Sequence, residues 1–208
     1  MKEEHFINNE QELEAVIGAQ EDWVKCKIFS ELDPIMKEFI SRSPLVFVST
    51  SDENGCVDVS PKGDPPGFVT VDGEGCLLIP ERPGNKLTYG FRNILRNRGI
   101  GLLFLLPNQK ETLRVKGTAS LHKDPEILNE MKVNGKPALM YTRVEIKECF
   151  IHCGKALIRS KLWDPESWDS HSESLAVRQF SKIIRDGSED AYEITKKNLD
   201  EIYRKELY

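Results

Sequence analysis

Positive charge is the scarcer sign in this 208-residue chain: 29 Lys and Arg stand against 34 Asp and Glu, a formal net charge of −5 at pH 7. A protein whose main task is to neutralise nucleic-acid phosphate draws on an excess of bases, so that class is excluded as the principal function, while a local anion site stays open. No run of about 18 apolar residues occurs, the length needed to cross a hydrocarbon core. The start, Met1-Lys2-Glu3-Glu4-His5, is acidic where a signal peptide would be basic and then apolar. Neither a membrane span nor a signal peptide is expected. Cysteine is sparse: Cys26, Cys56, Cys76, Cys149 and Cys153 are odd in number and scattered in a chain large enough to fold without covalent staples. Reduced thiols and a cytoplasmic location are the expectation. No internal repeat or low-complexity linker breaks the chain, and 39% hydrophobic with 30% charged residues is an ordinary globular composition, so residues 1–208 read as one domain.

What is present is a β-rich centre between helical ends. Apolar residues from Leu13 to Leu32 recur at a loose helical spacing, and Asp33-Pro34 supplies an N-cap and a first-turn Pro for a short helix through Ile40 that ends near Ser43-Pro44. From Leu45 to Ser51 the chain turns β-branched and aromatic, and Asp52-Glu53-Asn54-Gly55 is a hairpin signal that predicts a returning strand over Cys56 to Ser60. Further strands are predicted over Phe68 to Asp72, Cys76 to Pro80, Ile100 to Leu106, Thr112 to His122 and Leu139 to Cys153. Helices are predicted from Lys86 to Asn97, with Leu87, Phe91, Ile94 and Leu95 on one face, and after Asp124-Pro125. Six or seven antiparallel strands in a sheet that closes on itself, which removes exposed edges, make the expected barrel over 45–163. It is flanked by a helical lead-in over 1–44 and C-terminal helices over 164–208, the latter divided by Gly187-Ser188 as C-cap and N-cap.

Chemistry concentrates in two stretches, Asp58 to Gly67 and Leu78 to Lys86. In Arg82-Pro83-Gly84-Asn85-Lys86, between a strand end and a helix start, Asn85 is the expected N-cap and Gly84 lets backbone approach a ligand. The free N–H groups of the helix start, with Arg82 and Lys86, favour an anion. Lys62, at the end of a neighbouring strand, brings a third cation to the same rim. A capped helix with solvated cations is the plainer reading of the same residues.

The ordered set Ser60-Pro61-Lys62-Gly63-Asp64, Arg82-Pro83-Gly84-Asn85-Lys86, Arg92-Asn93-Ile94-Leu95, Gly101 to Leu105 and Glu111 to Gly117 resembles the pyridoxamine 5'-phosphate oxidase-like flavoproteins, closest to a bacterial subfamily of probable FMN-dependent enzymes. The resemblance covers about Leu45 to Trp163. It implies a mainly β split barrel that binds FMN in clefts at a homodimer interface. By resemblance, Lys62 faces the flavin or its phosphate, Val59 and Ser60 line the isoalloxazine, and Ile79 and Pro80 pass under the ribityl chain, Pro80 standing where the oxidases carry Thr. Arg82, Asn85 and Lys86 form the phosphate turn, and Thr112 and Arg114 reach FMN from the second subunit. FMN, with a phosphate near two negative charges and an apolar ring, suits three cations beside an apolar strand.

The C-terminal helices do not reproduce the substrate-binding Arg and His pattern of the oxidases, so oxidation of pyridoxamine phosphate itself is not expected. Lys155, Arg159 and Trp163 are the candidates for the substrate side. Cys149 and Cys153 would share a strand face with His152 on the other, poor geometry for one ion, and no metal site is expected. The expected function is an FMN-dependent oxidoreductase acting on a small molecule, with NAD(P)H as candidate donor. A flavin- or haem-binding protein without turnover, and an interaction domain with an empty cleft, are the alternatives.

Overall fold

A computed structural model describes residues 5–171, 173–184, 188–205 and 207–208. The lead-in forms two short exposed helices, α1 (Glu10–Ile17), whose N-cap Asn9 accepts from the Glu12 N–H, and α2 (Asp22–Lys25). As the Asp-Pro pair requires, Asp33 caps α3 (Pro34–Arg42) by accepting from the Met36 N–H, and Met36 and Ile40 are buried. Seven strands follow: β1 (Leu45–Ser51), β2 (Val57–Gly63), β3 (Thr70–Val71), β4 (Leu77–Glu81), β5 (Gly99–Leu105), β6 (Thr112–His122) and β7 (Met140–His152). Two helices interrupt them, α4 (Tyr89–Arg96) between β4 and β5 and α5 (Pro125–Glu130) between β6 and β7. Beyond β7 lie α6 (Lys155–Ser160), which the sequence did not announce, α7 (Leu175–Ile184) and α8 (Glu189–Lys205). Gly187, expected to cap α7, lies outside the described residues, as does the start Met1–Glu4.

The sheet runs β2-β1-β5-β6-β7-β4-β3, with every neighbour antiparallel. Its fold is mainly β with peripheral helices, the split barrel that the sequence implied. The ladder does not close: among the described residues β2 and β3 form its two ends, and β3 covers β4 only at Leu77 and Leu78. Pro80, past the end of that pairing, sits where a missing N–H costs least. The core lies between sheet and helices α3 and α4, with Phe104, Ile40, Leu77, Ile79, Leu113 and Val46 fully buried.

One irregularity breaks the β6–β7 ladder, a bulge between Lys116 and Gly117. The plain alternation of Leu113, Val115, Gly117 and Ala119 carries no sign of it. Predicted strand bounds otherwise hold within a few residues; β3 is the exception, reduced to two residues because the Pro65-Pro66-Gly67 turn before it has no partner strand. Helix α4 starts three residues later than expected, and Leu95 is exposed, so the inward face of α4 is carried by Asn93 and Ile94.

Cys149 shows how β7 ties the lead-in down. Its backbone exchanges two hydrogen bonds with Phe29, of 3.0 and 2.8 Å, and its thiol donates to the Glu31 carbonyl at 3.2 Å. Burial pushes this thiol up from 9.0 to about 11. Below pH 9 folded and unfolded chains both hold the proton and this contribution to stability is whole. Between pH 9 and about 11 only the unfolded chain releases it, so stability falls, by up to about 3 kcal/mol. Urea unfolding across that range should show a shallower decline for Cys149→Ala than for the unaltered chain; parallel declines would refute the assignment.

Candidate functional site

Where the ladder is open, a cleft of about 580 Å³ lies between β2 and β4, roofed by the start of α4. Strand alternation decides what faces it. On β2, Asp58, Ser60 and Lys62 form the half-buried row, while Val57 and Val59 on the other face are largely exposed. On β4, Ile79 and Glu81 line the cleft, with Thr142 of β7 beside them and Phe91 and Ile94 of α4 supplying apolar wall.

Two ion pairs span the opening. Lys62 Nζ meets Glu81 Oε2 at 2.6 Å, with side chains 23% and 4% exposed. Thr142 Oγ1 donates to Glu81 Oε1 at 2.7 Å, and the Lys62 ammonium stands 4.6 Å over the Phe91 ring. Just beyond both strand ends, Arg82 Nε donates to Asp64 Oδ2 at 2.7 Å, with side chains 13% and 1% exposed, and Arg82 Nη2 donates to the Met131 carbonyl at 2.8 Å. Side chains therefore join β2 to β4 where ladder bonds would otherwise run.

The turn between β4 and α4 forms the remaining rim. Gly84, Asn85 and Lys86 all line the cleft, as expected from their spacing. Asn85 is not the N-cap: its Oδ1 accepts from the Leu87 N–H at 3.1 Å, closing an Asx turn, and Thr88 precedes α4 in the left-handed conformation, giving no side-chain cap. Lys86 is likewise left-handed, at φ 61°. Three cations do converge here, but Lys62 and Arg82 arrive already paired. Among the described residues Lys86 is the cleft-lining cation without a carboxylate partner.

Of the other residues singled out in the sequence, Ser60 and Ile79 line the cleft, and Val59 lies where the cleft meets a second concavity. Pro80 does not face the cleft: alternation turns it with Leu78 toward a groove bounded by Phe68 and Met131. Thr112 and Arg114 line the second concavity, about 980 Å³ across the outer face of β1, β5 and β6, so within one chain they stand apart from Lys86; Arg114 stacks over Phe150 at 5.5 Å. Lys155, Arg159 and Trp163 line neither space. The two cations are exposed on or near α6, and Trp163 Nε1 donates to the Gln109 carbonyl at 2.8 Å. Among the described residues no three His, Cys, Asp or Glu side chains gather as a metal site.

Four further participants, Asp58, Asp64, Glu81 and Thr142, do not stand out in the sequence as site residues. Period-two alternation offered a signal for two of them, since Asp58 shares a face with Lys62 and Glu81 with Ile79. Thr142 lies 61 residues from Glu81, a contact only the fold supplies.

Residues 32–153 match the family model described as pyridoxamine 5'-phosphate oxidase. Among curated proteins, none matches the chain significantly. Solved structures that the chain is similar to include HupZ of group A Streptococcus, at 18% identity, covering 58% of this chain and 93% of that one with TM-score 0.46. A putative pyridoxamine 5'-phosphate oxidase of Lactobacillus delbrueckii shows 23% identity over 59% of this chain and 95% of that one, TM-score 0.46. HutZ, the heme storage protein of Vibrio cholerae, shows 15% identity over 59% and 95%, TM-score 0.39. The family match takes in more than half of the chain, including both cleft strands, the Gly84-Asn85-Lys86 turn and α4; this chain belongs to the pyridoxamine 5'-phosphate oxidase family.

Proposed function

We propose that the cleft binds FMN and that the protein is an FMN-dependent oxidoreductase acting on a small molecule. The observation that carries this reading is the combination, in one cleft of about 580 Å³, of apolar walls with an exposed Lys86 on a Gly-Asn-Lys turn that has no carboxylate partner among the described residues. That volume lies within the usual range for cofactor sites. Lys86 would hold the phosphate, Ile79 and Phe91 would pack on the flat ring and exclude water, and the Lys62–Glu81 pair would fix the polar floor. A bound flavin supplies the electron-transfer chemistry. The half-buried face of β1 and β5, with Phe47 and Leu103, beside Thr112 and Arg114 of β6, would pair two copies, so that Thr112 and Arg114 would approach the neighbouring cleft. NAD(P)H is the proposed donor.

Titration with FMN, followed by flavin fluorescence and absorption, tests this directly. Saturable binding and bleaching by NAD(P)H support an oxidoreductase. A flavin that binds but neither reduces nor reoxidises makes the protein a carrier, and a Soret band on haem addition with no response to FMN replaces the reading. Lys86→Ala should weaken FMN binding about 10- to 100-fold, the effect of losing one charge-assisted hydrogen bond, while leaving the unfolding midpoint in place. Unchanged affinity would remove the phosphate from this turn.

A further inference from the structure

Two carboxylates line the cleft from facing strands, and they differ in what remains free. Glu81 is nearly fully buried, and both its oxygens are engaged, by Lys62 and by Thr142. Asp58 is half-buried, and among the described residues only its Oδ2 accepts a hydrogen bond, from Ser60 Oγ at 3.2 Å. Its Oδ1 accepts none among the described residues, and Asp58 lines the cleft, so the carboxylate has acceptor capacity left for a ligand donor.

The place of Asp58 adds a second constraint. A methyl group built on Gly90, in the first turn of α4, would lie 3.4 Å from Asp58 Oδ2 and 3.6 Å from Thr50 Oγ1, so the carboxylate stands against the start of that helix. The start of α4 has no side-chain cap, and the positive end of its dipole already faces an anion belonging to the chain. A ligand phosphate placed there would meet Asp58 as a like charge. Lys86, without a carboxylate partner among the described residues, lies instead on the turn before the helix.

We infer that Asp58 is a specificity-determining residue: it accepts a hydrogen bond from an N–H or O–H of the ligand and thereby makes an anionic ligand lie with its charged end at Lys86. This deepens the flavin reading and rests on it. In a flavin the donor is either the ring imide N–H or a ribityl hydroxyl.

The test is a binding matrix on the full chain. FMN and riboflavin, which lacks the phosphate, are titrated against the unaltered protein, Asp58→Ala and Lys86→Ala, with Asp58→Asn as a near-isosteric second variant and thermal unfolding as the control for folding. Asp58→Ala should weaken FMN and riboflavin alike, roughly 10- to 100-fold as for a lost hydrogen bond to a charged group, and Asp58→Asn in the same direction. The Lys86→Ala penalty should vanish for riboflavin. Repeating the Asp58→Ala comparison with 3-methyl-FMN identifies the donor: a penalty that disappears assigns the imide, and one that persists assigns a hydroxyl. FMN affinity within twofold of the unaltered chain in both Asp58 variants overturns the inference. So does tighter FMN binding, which would put the phosphate beside Asp58. If FMN fails to bind the unaltered chain, the flavin reading falls and this inference with it.

Discussion

Replacing Gly117 by Ala should cost about 4 kcal/mol or more, among the largest effects available to a single methyl group. A Cβ on Gly117 would sit 2.1 Å from the Glu145 carbonyl oxygen, 3.1 Å from its carbon and 3.2 Å from Val144 Cγ1. The nearest obstacle is backbone, so no rotamer change relieves the clash; β6 and β7 would have to part at the bulge, in the longest ladder of the sheet. Gly101→Ala is the matched control. It also lies in a strand, but its added methyl would meet only Ser49 Cβ, at 3.8 Å, an ordinary contact. Urea unfolding should find Gly101→Ala within about 1 kcal/mol of the unaltered chain and Gly117→Ala far below it or unfolded. Equal midpoints for the two would mean the bulge is misplaced.

Arg82→Ala comes next, with an expected loss of about 3 to 5 kcal/mol, the range for removing one partner of a buried ion pair. The carboxylate left behind is nearly inaccessible to water, at 1% exposure, and its Oδ1 already lacks a hydrogen-bond partner among the described residues. The same guanidinium anchors the Met131 carbonyl beyond α5 and lies 5.9 Å from the Tyr208 ring, so its removal loosens three segments at once. Replacing the pair together, Arg82→Met with Asp64→Leu, should recover much of the loss, because the cost comes from stranding a charge and not from losing an attraction. Chemical denaturation of single and double variants distinguishes the cases; a double variant no better than Arg82→Ala would locate the cost elsewhere. Any fall in ligand affinity of Arg82→Ala would then follow from the fold, whereas Lys86→Ala reports on the cleft.

Much of the fold was readable because local rules and tertiary need agree. Strand β1 and strand β6 run over the residues that their β-branched content and alternation mark, and Asp33 caps α3 as Asp-Pro predicts. The cleft's membership was partly readable too, since Lys62, Arg82 and Lys86 do meet. What spacing could not convey is how charge is already spent. A cation in a motif reads as available, yet whether Lys62 or Arg82 is free depends on Glu81 and Asp64, whose facing positions follow from which edge of the sheet stays open. Asn85 illustrates a second limit: an Asn before a helix satisfies either a cap or an Asx turn, and the left-handed Lys86 and Thr88, which no propensity favours, decide for the turn. The separation of Thr112 and Arg114 from Lys86 has the same origin, because adjacent positions on a strand serve opposite faces.

The two ion pairs across the open ladder also fix a length scale. Main-chain hydrogen bonds hold neighbouring strands about 4.8 Å apart, a spacing that admits no ligand. Between β2 and β4 the spacer is instead a lysine reaching a glutamate, and an arginine reaching an aspartate. The aperture is thus written in side-chain length: Glu81→Asp, shorter at the same charge, would narrow or tilt it without touching a single ladder bond, which makes this seam a place where one family fold can be cut to fit differently sized guests.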